Sequence, residues 1–278
     1  MYCKDYENNF KMGTIRSTCS QEASEVGSNQ SVVTYSYFNG KRINRNYTLD
    51  IQENLENIRL FYPGWLMRVY SDMPLTHELC NLVCEHSDFY FCPVEFADEL
   101  GIGTVSKEFP MQWRFLVLGD NTVQKFLVRD LDSRITQREA DAVIEWERSS
   151  KIFHAMRDHP GHYTVILGGM WGGNNLLLDS DVKLTLQRKI VMNRENHSGG
   201  IDQAALKVHI YPFRWQNQLL VHDSFLCHIY KDSVPFPTQR KELSEFVGRP
   251  LDEKFANYTA QICPERCRPS YGHDWKYC

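Results

Sequence analysis

The chain has 278 residues, with 31 Lys plus Arg against 35 Asp plus Glu and a formal net charge of −4. Near-neutrality argues against a partner held by phosphate neutralisation, so nucleic acid is not expected. At 42% hydrophobic and 13% aromatic, the composition is globular rather than disordered, and no run approaches the roughly 20 apolar residues a membrane span needs.

Residues 1–30 are polar and read as a loosely ordered leader without an apolar signal-peptide core. VVTYSYF (32–38) is β-branched and aromatic and predicts a strand, closed by Asn39-Gly40. Ile51, Leu55 and Ile58 recur at helical spacing in a helix stopped by Pro63-Gly64. A strand over 66–70 ends at Asp72. A helix over 76–86 carries Leu79, Leu82 and Val83, with Cys80 and Cys84 also facing the core as small hydrophobes. YFCPVEF (90–96) is a third strand, weakened by Pro93. PMQWRFLVLGD reads as a short helix ending near Gly119, and VQKFLVRD (123–130) as a strand running into Asp130. Thr136 and Glu139 form a capping box for the next helix, whose apolar stripe is Ala140, Val143 and Ile144.

This alternation predicts an α/β fold with a mostly parallel sheet flanked by helices. No linker interrupts residues 31–250, so one domain is expected, with a Cys-rich tail over 251–278 packed on it. Ligands of such sheets bind beyond the carboxyl ends of the strands, which singles out Asn39, Asp72 and the segment Arg129 to Arg134.

Asp130-Leu131-Asp132 puts two carboxylates on one side of an extended chain, a donor set suited to Mg²⁺ or Mn²⁺ on a diphosphate. Among 17 Asp, chance supplies about one Asp-x-Asp, and the chain has a second at Asp179 and Asp181. That second pair lies at a helix start and reads as N-cap and first turn. Arg129 and Arg134 either support the first pair or reach a phosphate.

Here the chain resembles the GT-A class of nucleotide-sugar-dependent glycosyltransferases. Similar chains, a group of predicted glycosyltransferases, carry FYPGWLMRVYSD, VRDLDSRITQREADAVIEW, FHAMRDHPGH, ILGGMWGG and a CPERCRP tail; the likeness spans roughly residues 31–278. The resemblance implies a GT-A (Rossmann-like) domain with a nucleotide-binding half over about 31–135 and an acceptor half over about 136–250. It implies transfer of a sugar from a nucleotide-diphosphate sugar, a UDP-sugar first, to a glycan or other hydroxyl acceptor. Asp130, Asp132 and His222 would hold Mn²⁺ or Mg²⁺. Asn39, Asp72, Arg129 and Leu131 would contact the nucleotide. Arg134, Gly168, Gly169, Trp171 and Gln203 would line the sugar and acceptor site, Trp171 offering an apolar face to a sugar ring. Asp202 is the first candidate base for the acceptor hydroxyl and Asp158 the second. His159 is either part of a turn or of the site's polar wall.

Two other functions compete: a metal-dependent phosphohydrolase using the same carboxylates, and a non-catalytic carbohydrate-binding protein. The cysteine spacing does not suit zinc, and whether the tail is disulfide-stapled stays open. The missing leader points to the cytoplasm; the nine cysteines and the sequons at Asn29, Asn46, Asn196 and Asn257 leave room for a Golgi or ER lumen.

Overall fold

The β-branched and aromatic runs do become strands, and they assemble in an order that decides where the chemistry can sit. The structure, a computed structural model, describes residues 16–38, 47–195, 200–242, 244–251 and 261–278. Strands β1 (Gln30–Tyr37), β2 (Leu66–Ser71), β3 (Phe89–Pro93), β4 (Val123–Arg129), β5 (Phe153–Arg157), β6 (Met170–Asn174) and β7 (Leu219–Asp223) form one sheet in the order β3-β2-β1-β4-β6-β5-β7. β1 runs parallel to β2 and β4, β2 to β3, and β5 to β7. Only β6 opposes its neighbours, pairing Arg129 with Met170 and Ala155 with Trp171. The α/β, mostly parallel architecture is therefore as the sequence leads one to expect.

Alternation along each strand fills two cores. Val32, Phe126, Val128, Phe153, Ala155 and Val221 face one side. That side is covered by a 3₁₀ helix (Pro110–Val117), α6 (Ser180–Val191) and α7 (Ile201–His209). Val33, Tyr35, Met67, Val69 and Leu127 face the other, under α2 (Tyr47–Phe61), α3 (His77–Glu85) and α5 (Gln137–Arg148). The Thr136 hydroxyl accepts from the Glu139 N–H at 3.3 Å, so the expected cap starts α5; Ile144 of the expected stripe is exposed.

Three local expectations need correcting. Residues 17–25 are not a loose leader: α1 (Gln21–Glu25) forms, Cys19 and Ala23 are fully buried, and buried Asp120 accepts from Ser17 Oγ and Thr18 N. The third strand stops at Pro93, the cap residue of α4 (Val94–Asp98), because proline has no N–H to continue a ladder. Residues 110–117 do form the expected short helix, in 3₁₀ geometry. Cys80 is disulfide-bonded and Cys84 is exposed, so neither is a buried free thiol in the core.

The tail is stapled by Cys227–Cys267 and Cys263–Cys278, whose four sulfurs form a small buried cluster of their own. Cys19–Cys92 ties α1 to the end of β3 across 73 residues of chain. Loop-closure entropy for a ring of that length is about 4 kcal/mol. Replacing both Cys19 and Cys92 by Ser is expected to lower the unfolding free energy by roughly that amount in urea titration.

Candidate functional site

The sheet brings chemistry to one edge. The carboxyl ends of β4 and β5 and the amino end of antiparallel β6 lie side by side there. A cavity of about 530 Å³ opens at that edge, within the size range of small-molecule sites. Asp130 enters it from the end of β4, Gly168 and Gly169 from the approach to β6, and His159, Gly161 and His162 from the turn after β5. Asp202 and Gln203 enter from the first turn of α7, after Gly200, whose φ of 102° lies in the region glycine tolerates. Phe246, Gly248 and Pro250 close the remaining side.

Arg114, from the 3₁₀ helix, organises the two acids. Its Nη1 donates to Asp130 Oδ1 at 2.5 Å and to the Arg129 carbonyl at 2.9 Å, and its Nη2 to Asp202 Oδ2 at 3.4 Å. One guanidinium thus serves two carboxylates, leaving a net negative charge at the cavity. Burial raises the Asp202 carboxyl above its ordinary range, Arg114 lowers it, and the charge of Asp130 raises it again. The two glycines make room for the acids: a Cβ on Gly169 would stand 2.1 Å from Asp130 Oδ2, and one on Gly168 2.1 Å from Asp202 Oδ2. Hard carboxylate oxygens cradled against bare backbone, with surplus negative charge, are a donor set that suits Mg²⁺ or Mn²⁺.

Of the residues singled out from sequence, the cavity brings together Asp130, His159, Asp202, Gln203, Gly168 and Gly169. It excludes several others, each for a visible reason. β4 ends at Arg129, and residues 130–133 make a turn in which Ser133 N donates to the Asp130 carbonyl at 3.2 Å. The period-two premise for Asp132 therefore fails; Asp132 is half-buried and is not on the cavity wall. Its carbonyl accepts from Leu251 N at 2.8 Å. Leu131 packs into the core beside Ile135. Arg129 is buried and donates to Glu139 Oε1 at 2.6 Å and to the Trp171 carbonyl at 2.9 Å, so it reaches no phosphate. Arg134 is engaged by Asp50 and Glu53 of α2.

Trp171 is no sugar platform. Its ring is fully buried between Phe115 and Phe126, each 5.3 Å away and edge-on. His222 lies three strands from β4, about 14 Å at the usual strand spacing. It is held under α5, with Nδ1 2.8 Å from His154 Nε2 and Nε2 3.3 Å from Glu145 Oε2. Burial lowers its pKa, partly opposed by Glu145. It cannot complete a metal shell at Asp130. Asp158 is fully buried in a cluster of structural donors, described below, and is no base. Asp72 is exposed at the end of β2, and Asn39 lies outside the described residues.

No family model and no curated protein matches the chain. Among solved structures, it is similar to a glycosyltransferase involved in the glycosylation of the major capsid of PBCV-1. The identity is 14% and the TM-score 0.40, over 73% of this chain and 87% of that one. It is also similar to 4-diphosphocytidyl-2C-methyl-D-erythritol synthase from Anaerococcus prevotii, at 7% identity and TM-score 0.36, over 70% of this chain and 87% of that one. At these scores the two names say nothing about what this chain does.

Sequence reasoning missed Arg114 and the 246–250 wall. A signal for Arg114 was available: a lone arginine inside the apolar run MQWRFLVL needs a buried acidic partner. No local pattern marks the wall, which is placed by Asp158.

Asp158 accepts from Arg138 Nε and Nη2 at 2.9 Å each, from Arg240 Nη2 at 3.0 Å, from Val247 N at 2.9 Å and from Ser224 Oγ. Arg138 also donates to the Thr238 carbonyl and Arg240 to the Asp158 carbonyl. A single buried carboxylate therefore pins α5, the end of β7 and the segment that walls the cavity.

Proposed function

We propose that the chain is a transferase that moves a sugar from a nucleotide-diphosphate sugar, a UDP-sugar first, to a hydroxyl group of a glycan or similar acceptor. The observation that carries this reading is the convergence of Asp130 and Asp202 on one cavity at the carboxyl edge of a mostly parallel sheet. Asp130 would hold Mg²⁺ or Mn²⁺ together with the substrate's diphosphate. The ion, when bound, offsets the charge of the leaving diphosphate as a Lewis acid. Arg114 orients both acids. Asp202 stands where it can accept the proton of the attacking hydroxyl, and Gln203 beside it can hydrogen-bond a sugar or acceptor. The bare backbone at Gly168 and Gly169 leaves room for those two carboxylates to sit where they do.

A phosphohydrolase working with two metals would need more acids than these: among the described residues, only Asp130 and Asp202 bring carboxylates to the cavity wall. The disulfides favour maturation in an oxidising compartment, a Golgi or ER lumen, over the cytoplasm. No described helix is long and apolar enough to cross a membrane.

Thermal unfolding with UDP, with and without Mn²⁺, tests the reading. Ligand at 100 times its Kd stabilises the folded state by about 2.7 kcal/mol. We expect a shift of that order with UDP and Mn²⁺ together, abolished by chelator. No metal-dependent shift with any nucleoside diphosphate, UDP or GDP, sinks it.

A further inference from the structure

The turn that leaves β5, Asp158-His159-Pro160-Gly161-His162, fixes the hydrogens on its two imidazoles. Asp158 N donates to His162 Nδ1 at 3.1 Å, and Gly161 N donates to His159 Nδ1 at 2.9 Å. A backbone N–H donates only to a ring nitrogen that carries no hydrogen, so a neutral ring so held bears its hydrogen on Nε2. His162 lines the cavity, and the hydrogen bond it makes among the described residues is through Nδ1, not Nε2.

The ring stays neutral. Burial pushes His162 down to about 3, helped by His159 and Arg240 and opposed by Asp158 and Asp130. The Phe246 ring stands against it at 5.7 Å, tilted 70°. A neutral imidazole with its hydrogen on Nε2 can neither take a proton nor bind a cation at that atom. What it can offer a ligand in the cavity is one N–H donor.

Position decides which oxygen. His162 follows β5 and Asp130 follows β4, with β6 between the two strands, so they enter the cavity from different elements. With a diphosphate at Asp130, the wall made by His162 and Phe246 is left for another part of the substrate. We propose that His162 is a sugar-binding residue: its Nε2–H donates to a hydroxyl oxygen of the sugar that the nucleotide carries, in a wall it shares with Phe246. This assignment rests on the transferase reading above.

The test is calorimetric titration of wild type, His162→Phe and His162→Gln with UDP and with UDP-glucose, UDP-galactose, UDP-xylose and UDP-N-acetylglucosamine, all with Mn²⁺. His162→Phe keeps the ring's bulk and removes the donor. His162→Gln places an amide N–H near the lost Nε2. Thermal unfolding of each variant establishes that it folds. We expect His162→Phe to leave UDP affinity within about twofold and to weaken the sugar nucleotide that wild type binds by about tenfold, with His162→Gln recovering most of the loss. Nitrogen-15 imidazole resonances should show a hydrogen on Nε2 and a bare Nδ1 from pH 5 to 8. Equal weakening of UDP and UDP-sugar, no weakening of either, or a hydrogen on Nδ1 overturns the assignment. If wild type binds neither UDP nor any UDP-sugar, the transferase reading itself falls and takes the assignment with it.

Discussion

Asp130→Asn is expected to abolish sugar transfer, by roughly 10³-fold or more in kcat, while the chain stays folded. Asparagine keeps an amide oxygen for Arg114 Nη1, which now sits 2.5 Å from Asp130 Oδ1, so the guanidinium retains an acceptor. Asp202 and the Arg129 carbonyl still hold the rest of Arg114. The Asp130 side chain is about one-third exposed, so the lost ion pair is partly screened and its cost in stability is modest, about 1 kcal/mol. What the variant lacks is the full negative charge that makes the cavity attractive to a dication. Metal-dependent binding of UDP should disappear with the activity, while the thermal midpoint moves by only a few degrees. Turnover of Asp130→Asn at the wild-type rate, or turnover in excess chelator, would remove the metal from the mechanism. A collapse of the thermal midpoint would instead make Asp130 chiefly a structural partner of Arg114.

The elements that write a strong local pattern were legible from the sequence, and the site was legible only where it sits directly on them. β1, β2 and β4 carry β-branched, aromatic or other apolar residues bounded by turn signals, and α5 begins at its capping box, so Asp130 at the end of β4 could be placed at the carboxyl edge of the sheet from the sequence. β6 could not. Its sequence, MWGGN, has the glycines of a loop, yet Gly172 and Gly173 are strand residues that the sheet leaves no room to enlarge. A Cβ on Gly172 would stand 2.5 Å from the Phe126 carbonyl oxygen. Glycine there answers to close packing between strands, and the same packing draws Trp171 into the core, although the resemblance implied a sugar platform there. The polar residues failed in a common way. Arg129, Asp158 and His222 all lie at the ends of apolar strand runs, but each is engaged by a partner on another element: Glu139, Arg240 and Glu145. One-dimensional position cannot tell a buried ion pair from a group aimed at substrate.

The Asp158 cluster sets the acid limit of the fold and, through it, of the site. Burial alone would raise the Asp158 carboxyl; the charges of Arg138 and Arg240, with hydrogen bonds from Arg138 and Ser224, override it and hold the pKa at about 2. A folded-state pKa below the unfolded value of 3.8 stabilises the protein at all pH above about 4, and the contribution is lost as pH falls from there through about 2. The shift corresponds to about 2 kcal/mol. Asp158→Asn removes the charge at every pH and strands two buried guanidiniums, which makes its cost larger than the titration alone, about 3–5 kcal/mol at pH 7. Urea unfolding of wild type and variant from pH 2 to 7 separates the two effects. The wild-type curve should fall over the acid range, the variant curve should be flatter there, and the gap between them should narrow as pH drops. The loss should also reach the cavity. Val247 N hangs on Asp158, and Phe246, Gly248 and Pro250 are its neighbours in the wall. Under conditions where Asp158→Asn remains folded, KM for the sugar nucleotide should rise more than kcat falls, because a loosened wall weakens binding without touching Asp130 or Asp202. Parallel curves for wild type and variant down to pH 2 would show that the Asp158 pKa is the same in the folded and the unfolded protein, so that the cluster does not hold it down.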